Sequence, residues 1–593
     1  MGPLAEYQER RAQREALLVA SVRRMRLVGL LRLATGLGFL ALLLISLDLH
    51  WFSAWWCVVP VIAFIVLAIH HERVRKAATR AQRAVKFYDR GIERLEDRWQ
   101  GSGNKGLPYL DENHLYARDL DVFGEASLYQ LLCTARTRTG ENILARWLKE
   151  PAPRTEILAR QEAVSELRAN LGLREDLSLL GSEVGSVVNP EFMLEWATAP
   201  SRLQSRPARI LALVLVGVTL ASLLAASVFG MSYSLVLYAV TFEVAFAMAL
   251  RPRVRDVLTQ IDEPARELSI LGLALKRVER EQFRSPRLLQ LQANLTEGDR
   301  KPSEDIQSLL TLVEYLNQRR NEYFLVLSAP LMWATNFAFS IESWRHRRGH
   351  AIGKWLDHFG EFEALCSLAA YSYEHPNDPF PEIVEGEVLL AGDEFRHPLL
   401  PPASCVPNSI HLGGELQLLL VSGSNMSGKS TLLRTVGMNV VLALAGAPVR
   451  AARMKVCVLN IGATLRVQDS LLAGVSRFYA EIQRLRDTMD LTAGSLPVLF
   501  LLDEILHGTN SHDRAIGAEA VIRGLIERGA IGFVTTHDLA LAGVADALAP
   551  RAVNVHFEDH LEDGRMRFDY LLRPGVVKKS NALELMRAVG LSV

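Results

Sequence analysis

The segment at residues 416–431 reads LQLLLVSGSNMSGKST and decides the fold of the C-terminal third of the chain. Its first part, Leu416–Val421, is predicted to be a buried strand, and a helix is predicted to follow through about Leu444. Between them lies the pattern GxxxxGK[ST], whose glycines let backbone amides surround a phosphate beside the positive end of the helix dipole. We therefore expect ATP to bind at the residues of this loop: Gly423, Ser424, Asn425, Met426, Ser427, Gly428, Lys429, Ser430 and Thr431.

Specific roles follow for two residues of this loop and for an acidic pair further along the chain. Lys429 supplies positive charge to the β- and γ-phosphates, and Ser430 supplies a hydroxyl ligand to Mg²⁺. A second apolar strand, Val498–Leu502, ends in Asp503 and Glu504, which is typical of a Walker B element. Asp503 is predicted to hold Mg²⁺ through its ligand shell, and Glu504 is predicted to polarise the attacking water.

A third predicted strand, Ile531–Val534, ends at the sequence Thr-Thr-His. His537 at the tip of this strand is predicted to sense the γ-phosphate, although a histidine there would by itself indicate only an ordinary loop residue. From about residue 385 onward, short β-rich runs alternate with turns and helices. This alternation predicts an α/β domain.

Two pairs of long apolar segments precede the α/β region: Leu33–Leu47 with Trp51–Ile69, and Ile210–Phe229 with Tyr233–Leu250. Each arm has roughly 15–20 residues, close to the length with which a helix crosses the hydrocarbon core. Arginines and lysines flank the outer ends of each pair, and the short turns inside the pairs contain none. This charge pattern predicts two membrane hairpins whose ends lie in the cytoplasm. The alternative interpretation is two pairs of buried core helices.

The first hairpin is predicted to span residues of about 31–48 and 51–69, which indicates a multi-pass protein of the cytoplasmic (inner) membrane in contact with lipid. Both termini and the ATPase domain are then expected in the cytoplasm. Glu243 is costly in lipid, so we expect it to face another helix. The apolar run Tyr323–Phe339 contains Pro330 and is predicted to be a buried core helix. A basic amphipathic helix at residues 71–98 is expected to face anionic headgroups rather than DNA.

The balance of charged residues bears on a nucleic-acid partner, and the distribution of cysteines bears on the redox compartment of the protein. Lysine plus arginine and aspartate plus glutamate both number 66, so a nucleic-acid partner gains no support from net charge and would need a local basic patch. The five cysteines are scattered and form no CxxC pair. This distribution indicates a reducing compartment and neither a disulfide framework nor a zinc site.

Four consecutive segments resemble the ATPase motifs of the MutS family. They are SGSNMSGKSTLLRTVG at 422–437, DSLLAGVSRFYAEIQRL at 469–485, LLDEILHGTNSHDR at 501–514 and TTHDLALAG at 535–543. Segments at 396–408 and 568–583 are similar to the parts of that family that precede the P-loop and close the domain. A fainter similarity, at about residues 115–205, is to the beginning of the MutS helical core.

In the MutS family two ATPase domains pair, and each completes the site of the other. The resemblance therefore implies a homodimer in which Ser476 of one chain reaches the γ-phosphate bound by its partner. The loop at residues 508–510 would lie at the same interface. The resemblance also implies a switch in which ATP closes the pair, hydrolysis opens it and helical levers transmit the change.

Together these patterns predict an α/β P-loop ATPase domain at the C-terminus, an all-α helical core similar to that of MutS, and two transmembrane helical hairpins. The predicted domains are an N-terminal membrane hairpin with basic flanking helices (1–98), the first part of the helical core (99–208), the second membrane hairpin (209–250), the second part of the helical core (251–384) and the ATPase domain (385–593).

The two hairpins occupy positions at which repair members of the family carry other domains. Residues 1–98 hold a hairpin instead of the mismatch-reading domain, and residues 209–250 hold a hairpin where a DNA clamp normally interrupts the core. One hypothesis is a membrane-anchored ATPase that binds mismatched or branched DNA and switches conformation with ATP. The alternative is a nucleotide-driven membrane switch that acts on a protein partner without binding DNA. An ABC-type exporter fits poorly, because no LSGGQ sequence precedes the acidic strand.

Overall fold

The computed structural model describes residues 2–49, 54–182, 190–203, 205–295, 300–318, 328, 331–424, 426–466, 477–506, 509–538, 541–562 and 565–577. The chain divides into two compact units. The first, which we call the ATPase unit, comprises Met1–Thr134, Leu144–Leu171 and Leu365–Val593. The second, which we call the helical unit, comprises Ala135–Ile143 and Gly172–Ala364.

Helices make up most of the described chain before residue 380. They are α1 (Pro3–Leu44), α2 (Val58–Leu95), α3 (Leu128–Leu132), α4 (Arg138–Lys149), α5 (Arg154–Ala169), α6 (Leu171–Ser182), α7 (Pro190–Thr198), α8 (Arg206–Phe229), α9 (Ser234–Gln260), α10 (Asp262–Glu279), α11 (Pro286–Leu295), α12 (Pro302–Asn317) and α13 (Trp333–Glu374). Four more helices lie among the strands: α14 (Lys429–Ala445), α15 (Arg477–Leu491), α16 (Ser511–Glu527) and α17 (Ala542–Ala547).

The N-terminal hairpin consists of α1 and α2, which pack against each other in opposite directions. Near its open end the Tyr7 and Tyr88 rings meet edge to face, with centroids 5.8 Å apart. Further along, the Arg32 guanidinium lies 5.1 Å from the centroid of the Phe64 ring. Each helix continues without a break from its apolar arm into the polar residues beyond it, so the arms are parts of much longer helices. No glycine or proline separates Ile69 from the basic helix that follows it, and the helix therefore propagates.

The open end of this hairpin is attached to the last residue of α13 within the ATPase unit. The carboxylate of Glu374 is buried and accepts hydrogen bonds from Arg94 at 2.5 and 2.7 Å and from the Tyr7 hydroxyl at 3.1 Å. Gly91 faces the Tyr7 ring so closely that a Cβ there would lie 2.4 Å from it. A buried carboxylate with charge-assisted hydrogen bonds is costly to separate from its partners, so this contact fixes the hairpin to the unit.

The ATPase unit also contains two sheets. Their strands are β1 (Glu382–Val384), β2 (Leu389–Phe395), β3 (Asn408–Gly413), β4 (Leu418–Ser422), β5 (Arg453–Cys457), β6 (Asn460–Thr464), β7 (Val498–Asp503), β8 (Ile531–Thr536), β9 (Ala552–Glu562) and β10 (Arg565–Pro574). The smaller sheet has the order β1-β5-β2-β3 and the larger the order β10-β9-β4-β8-β7-β6. In the larger sheet β4 lies between β9 and β8 and is parallel to both. All residues of β4 are buried, as expected for a parallel strand covered on both faces.

The segment at residues 115–125 belongs to the ATPase unit. Asp119 is buried there and accepts hydrogen bonds from the backbone N–H groups of Leu465 and Arg466, at 3.1 and 2.6 Å. Arg484 of α15 forms an ion pair with the same carboxylate.

In the helical unit, α8 and α9 form the second hairpin, joined at Gly230 in the left-handed conformation. Apolar side chains along it are exposed, including Phe229 at 75% and Phe242 at 68%. By contrast, Glu243 is only 2% exposed and lies close to the buried Thr219 of the facing helix. The described chain contains four helices that are long and apolar enough to cross a membrane: Pro3–Leu47, Trp55–Leu95, Arg206–Phe229 and Ser234–Gln260. Little of each apolar segment is buried, which is unusual for helices of a soluble core.

The remaining helices of this unit enclose a core of their own. α10 and α12 approach closely because Gly272 faces Ile306, whose side chain leaves room for no larger residue. Glu363 of α13 accepts hydrogen bonds from the backbone N–H groups of Arg136 and Thr137, both at 3.1 Å, at the beginning of α4. Burial raises the pKa of Glu363 to about 7. Of the apolar run predicted at residues 323–339, only residues 328 and 331–339 are described, and Ala338 and Phe339 at its end are buried.

Candidate nucleotide site

The loop between β4 and α14 lies at the carboxyl end of the larger sheet, where parallel strands commonly bind ligands. Gly423 and Gly428 both have positive φ, at 155° and 104°, which residues with a Cβ rarely adopt. A Cβ on Gly423 would lie 2.7 Å from the Ser427 hydroxyl oxygen. The loop can therefore curl tightly before α14 begins at Lys429, and its N–H groups lie at a helix N-terminus.

Lys429 is 5% exposed and directs its ammonium group along the inside of the loop. Its Nζ donates to the carbonyl oxygens of Gly423 and Ser424 at 2.8 and 3.0 Å. It also lies 3.5 Å from Oε1 of Glu504. A buried cation held between the loop and an acidic side chain is well placed to attract the charge of a phosphate.

Asp503 connects the loop to the sheet. The Ser430 hydroxyl donates to Oδ2 of Asp503 at 2.5 Å, and the Thr535 hydroxyl donates to Oδ1. Asp503 and Thr535 are paired residues of the neighbouring parallel strands β7 and β8, so the sheet register brings them together. Hydroxyl and carboxylate oxygens are the ligands that Mg²⁺ prefers, and Ser430 and Asp503 supply one of each.

Glu504 follows β7 and lies between Lys429 and His537. Its backbone N–H donates to the carbonyl oxygen of Thr535 at 3.2 Å, and its φ is 48°, in the left-handed region. Nδ1 of His537 lies 3.3 Å from Oε1 of Glu504. An unusual backbone conformation in a non-glycine residue concentrates at functional sites, and here it turns the carboxylate towards the loop.

The hydroxyl groups of Ser424 and Ser427 indicate whether the loop is suited to bind a triphosphate. The Oγ atoms of Ser424 and Ser427 are buried and have no hydrogen-bond partner among the residues that the structure describes. Buried hydroxyls without partners are costly, and phosphate oxygens are acceptors that would satisfy them. Together with the ammonium of Lys429 and the oxygen pair Ser430 and Asp503, they fit the triphosphate and Mg²⁺ that the loop pattern predicts.

A cavity of about 700 Å³ opens beside the loop and is large enough for a nucleotide. Its polar side contains the loop and acidic residues. Its other side is formed chiefly by apolar or aromatic residues: Phe395, Leu400, Val406, Phe557 and Tyr570. A cavity with one charged and one apolar wall suits a ligand that joins phosphates to an aromatic base.

Tyr570 occupies a strained position on this apolar wall. It lies at an irregularity of β10 and has a φ of 56°, which is uncommon for an aromatic residue. Asn408 at the start of β3 holds it there, because its Nδ2 donates to the Tyr570 carbonyl at 3.0 Å and its Oδ1 accepts from the Leu572 N–H at 2.7 Å. A Cβ on Gly428 would approach the Tyr570 ring to 3.1 Å, so the ring borders the phosphate loop.

His397 is a buried, neutral member of the cavity wall. Burial, together with the nearby positive charge of Arg434, lowers the pKa of His397 to about 4. The Leu399 backbone N–H donates to Nδ1 at 3.2 Å, so the neutral ring carries its proton on Nε2. His397 therefore offers the cavity a hydrogen-bond donor without a positive charge.

The structure brings most of the predicted site residues together. Lys429, Ser430, Asp503, Glu504 and His537 lie in one connected cluster. Asn425 and Ser476 lie outside the described residues. Four further residues of the site were given no role from the sequence: Thr535, Asn408, Tyr570 and His397. The segments that contain these residues nevertheless resemble family motifs. Their roles depend on contacts between distant segments, which no local pattern signals.

A parallel sheet whose central strand leads into such a loop, beside a strand that ends in acidic residues, defines a P-loop nucleotide-binding domain. Residues 419–592 match the family model of MutS domain V. This part of the chain is therefore a domain of the MutS family.

Curated proteins with the same region extend this similarity. The chain is 32% identical over 236 residues to the DNA mismatch repair protein MutS of Natronomonas pharaonis, covering 39% of this chain and 27% of the relative. It is 34% identical over 204 residues to Endonuclease MutS2 of Thermus thermophilus, covering 33% and 25%. It is 31% identical over 250 residues to DNA mismatch repair protein MSH6 of Arabidopsis thaliana, covering 39% and 19%. The chain thus spans about a quarter of the length of the first relatives that it matches.

We predict that Asn408→Ala weakens ATP binding by up to about thirtyfold, because two lost hydrogen bonds, together contributing about 2 kcal/mol, release Tyr570 from its strained position. Tyr570→Ala should weaken binding to a similar degree, whereas Tyr570→Phe keeps the ring and serves as the matched control. Titration calorimetry of the purified variants measures the three affinities. Unchanged affinity in Asn408→Ala would show that the held tyrosine has no part in binding.

Proposed function

We propose that the chain is a membrane-anchored ATP hydrolase that binds mismatched or branched DNA and changes conformation with its nucleotide. The observation that carries the proposal is the cluster of Lys429, Ser430, Asp503 and Glu504 around a loop in which two buried hydroxyls have no hydrogen-bond partner among the described residues. The match of residues 419–592 to MutS domain V supports the same chemistry.

Each residue of the cluster has a definite role in hydrolysis. Lys429 binds the β- and γ-phosphates, and Glu504 orients and polarises the attacking water. Ser430 and Asp503 hold Mg²⁺, which when bound neutralises the charge that develops on the phosphates. His537, 3.3 Å from the Glu504 carboxylate, registers whether the γ-phosphate is present and adjusts the position of Glu504.

We further propose that two copies pair through their ATPase domains. Apolar side chains on α15 and α16 support a paired surface, since Tyr479, Ile482 and Ile516 are exposed in the ATPase unit. Ser476, just before α15, would contact the γ-phosphate in the site of the other copy. The loop at residues 508–510 would lie at the same interface.

The membrane anchor is proposed from the two apolar hairpins. Their exposed apolar surfaces would be unfavourable in water and favourable in hydrocarbon. Arginines flank the outer ends of both pairs, which favours a cytoplasmic position for the termini and the ATPase unit. We therefore place the chain in the cytoplasmic membrane, in contact with lipid along α1, α2, α8 and α9.

A second candidate function is a nucleotide-driven membrane switch that acts on a protein partner without DNA. One observation favours it: the hairpins occupy the positions of the mismatch-reading and clamp domains, and the chain has no surplus of basic residues to attract nucleic acid. The DNA-binding proposal relies instead on the names of the relatives, two of which are DNA mismatch repair proteins.

Two substitutions test ATP binding and ATP hydrolysis separately. We predict that Lys429→Ala abolishes ATP binding, because the loop loses its only buried ammonium among the described residues. Glu504→Gln should keep the affinity but slow turnover by about a hundredfold or more, because the amide cannot accept the proton of the attacking water. Calorimetry and phosphate release measure the two quantities. Equal affinity in wild type and Lys429→Ala would overturn the assignment of the phosphate loop.

The effect of DNA on the rate of ATP turnover distinguishes the two candidate functions. For the first function, turnover of the detergent-purified chain should rise severalfold with mismatched or branched duplexes and less with a perfectly paired duplex. The Glu504→Gln variant should retain these DNAs in the presence of ATP, since hydrolysis no longer releases them. Turnover and retention that are equal with and without every duplex would favour the protein-partner switch.

Membrane topology is tested at the turn of the second hairpin. In a variant whose five native cysteines are replaced by serine, Met231→Cys should react with a membrane-impermeant maleimide in intact cells, because the proposed topology exposes the turn outside the cytoplasm. The equally exposed Leu289→Cys on α11 should react only after permeabilisation. Protection of both positions until lysis would contradict a spanning hairpin.

A further inference from the structure

A cavity of about 300 Å³ lies within the helical unit, where no function has been assigned. Its lining comes from the segment before α12, the first turns of α12 and the middle of α13. The lining residues are Arg300, Asp305, Ser308, Trp344, Arg347 and Arg348. Three guanidinium groups thus face a single carboxylate, which gives the lining a formal charge of about +2.

One of these arginines is held in place by the fold. Nε of Arg348 lies 3.1 Å from Oδ2 of Asp305, whose side chain is almost completely buried. The indole N–H of Trp344 donates to the Asp305 carbonyl at 2.9 Å and to the Ser308 hydroxyl at 3.1 Å. These contacts join α12 to α13, so Arg348 is positioned by the packing of two helices before any ligand binds.

The other two arginines, Arg300 and Arg347, are exposed, and their charges act on the Asp305 carboxylate from a longer distance than that of Arg348. Arg347 donates a hydrogen bond to the backbone carbonyl of Ser343 at 3.2 Å. Like charges that converge on a small cavity repel one another, and an anion between them turns the repulsion into attraction. A guanidinium also presents parallel N–H donors that match two phosphate oxygens.

We propose that this cavity binds a phosphate group with two negative charges, either inorganic phosphate or the terminal phosphate of a phosphomonoester. The charge of the lining matches such a group, which carries about −1.5 to −2 at pH 7, better than the single charge of a phosphodiester in a nucleic-acid backbone. The volume leaves room for the phosphate and a small organic group beside it. This site is independent of the function proposed for the nucleotide site.

The test uses the full chain in detergent micelles with a Lys429→Ala background, which removes phosphate binding at the nucleotide loop. Equilibrium dialysis with radiolabelled inorganic phosphate at constant ionic strength should show one saturable site. Arg300→Ala and Arg347→Ala should each weaken binding about tenfold, because each removes a charge-assisted contact. Arg253→Ala, an exposed arginine of α9 outside the cavity, is the matched control and should leave binding unchanged. Arg348 is kept, because its loss would leave Asp305 buried and unpaired.

Competition identifies the source of the phosphate. Glycerol 3-phosphate should displace the label, and an oligonucleotide without a terminal phosphate should not. Displacement by phosphatidic acid vesicles, but not by phosphatidylcholine vesicles, would support the site with a lipid headgroup as its source; no displacement by either would support a soluble phosphomonoester. Absence of saturable binding, equal affinity in all variants, or displacement by the oligonucleotide as readily as by glycerol 3-phosphate would overturn the proposal.

Discussion

The carboxylate of Asp503 joins three elements that lie far apart in the sequence. It ends β7, accepts a hydrogen bond from Ser430 on α14 and accepts another from Thr535 at the end of β8. Hydrogen bonds to a charged group contribute about 1.5–3 kcal/mol each, so this side chain helps to set both the position of α14 and the register of the two strands. The chemistry proposed for Asp503 uses the same oxygens. Ligand binding and the architecture of the sheet end therefore depend on one group.

The phosphate loop could be predicted from the sequence, but the residues that surround it in the folded unit could not, because only the loop is formed by one contiguous segment. The strand, loop and helix around Lys429 are contiguous, and their pattern has a local physical cause. The acidic pair after β7 could also be predicted, because it directly follows a contiguous apolar strand. Asn408 and Tyr570, in contrast, are separated by 162 residues and meet only because β3 and β10 approach each other in the folded unit. The left-handed backbone of Tyr570 is imposed by that contact and has no signal in its neighbours.

The helices show a similar division between local and distant causes. Apolar runs and their flanking arginines predicted the positions of α8 and α9 closely, because length and hydropathy decide them. The apolar arms predicted within α1 and α2 are shorter than these helices, which also include the flanking stretches that were predicted to be helical. A helix ends where caps, glycine or proline end it, and the polarity of its side chains can change without any break. The contact of the buried Asp119 with residues more than 340 positions later has no local signal in the sequence.

The attachment at Glu374 has a mechanical consequence. The α1 helix has 42 residues, which corresponds to a rod of about 63 Å that is held at one end. Leu400 borders both the nucleotide cavity and a neighbouring cavity of about 510 Å³ that Arg94 and Glu374 also line, so the two places share a wall. A tilt of about 5° at the fixed end would carry the free end of such a rod sideways by about 5 Å. Small rearrangements around a nucleotide would thereby reach the far end of the hairpin as displacements of several ångströms.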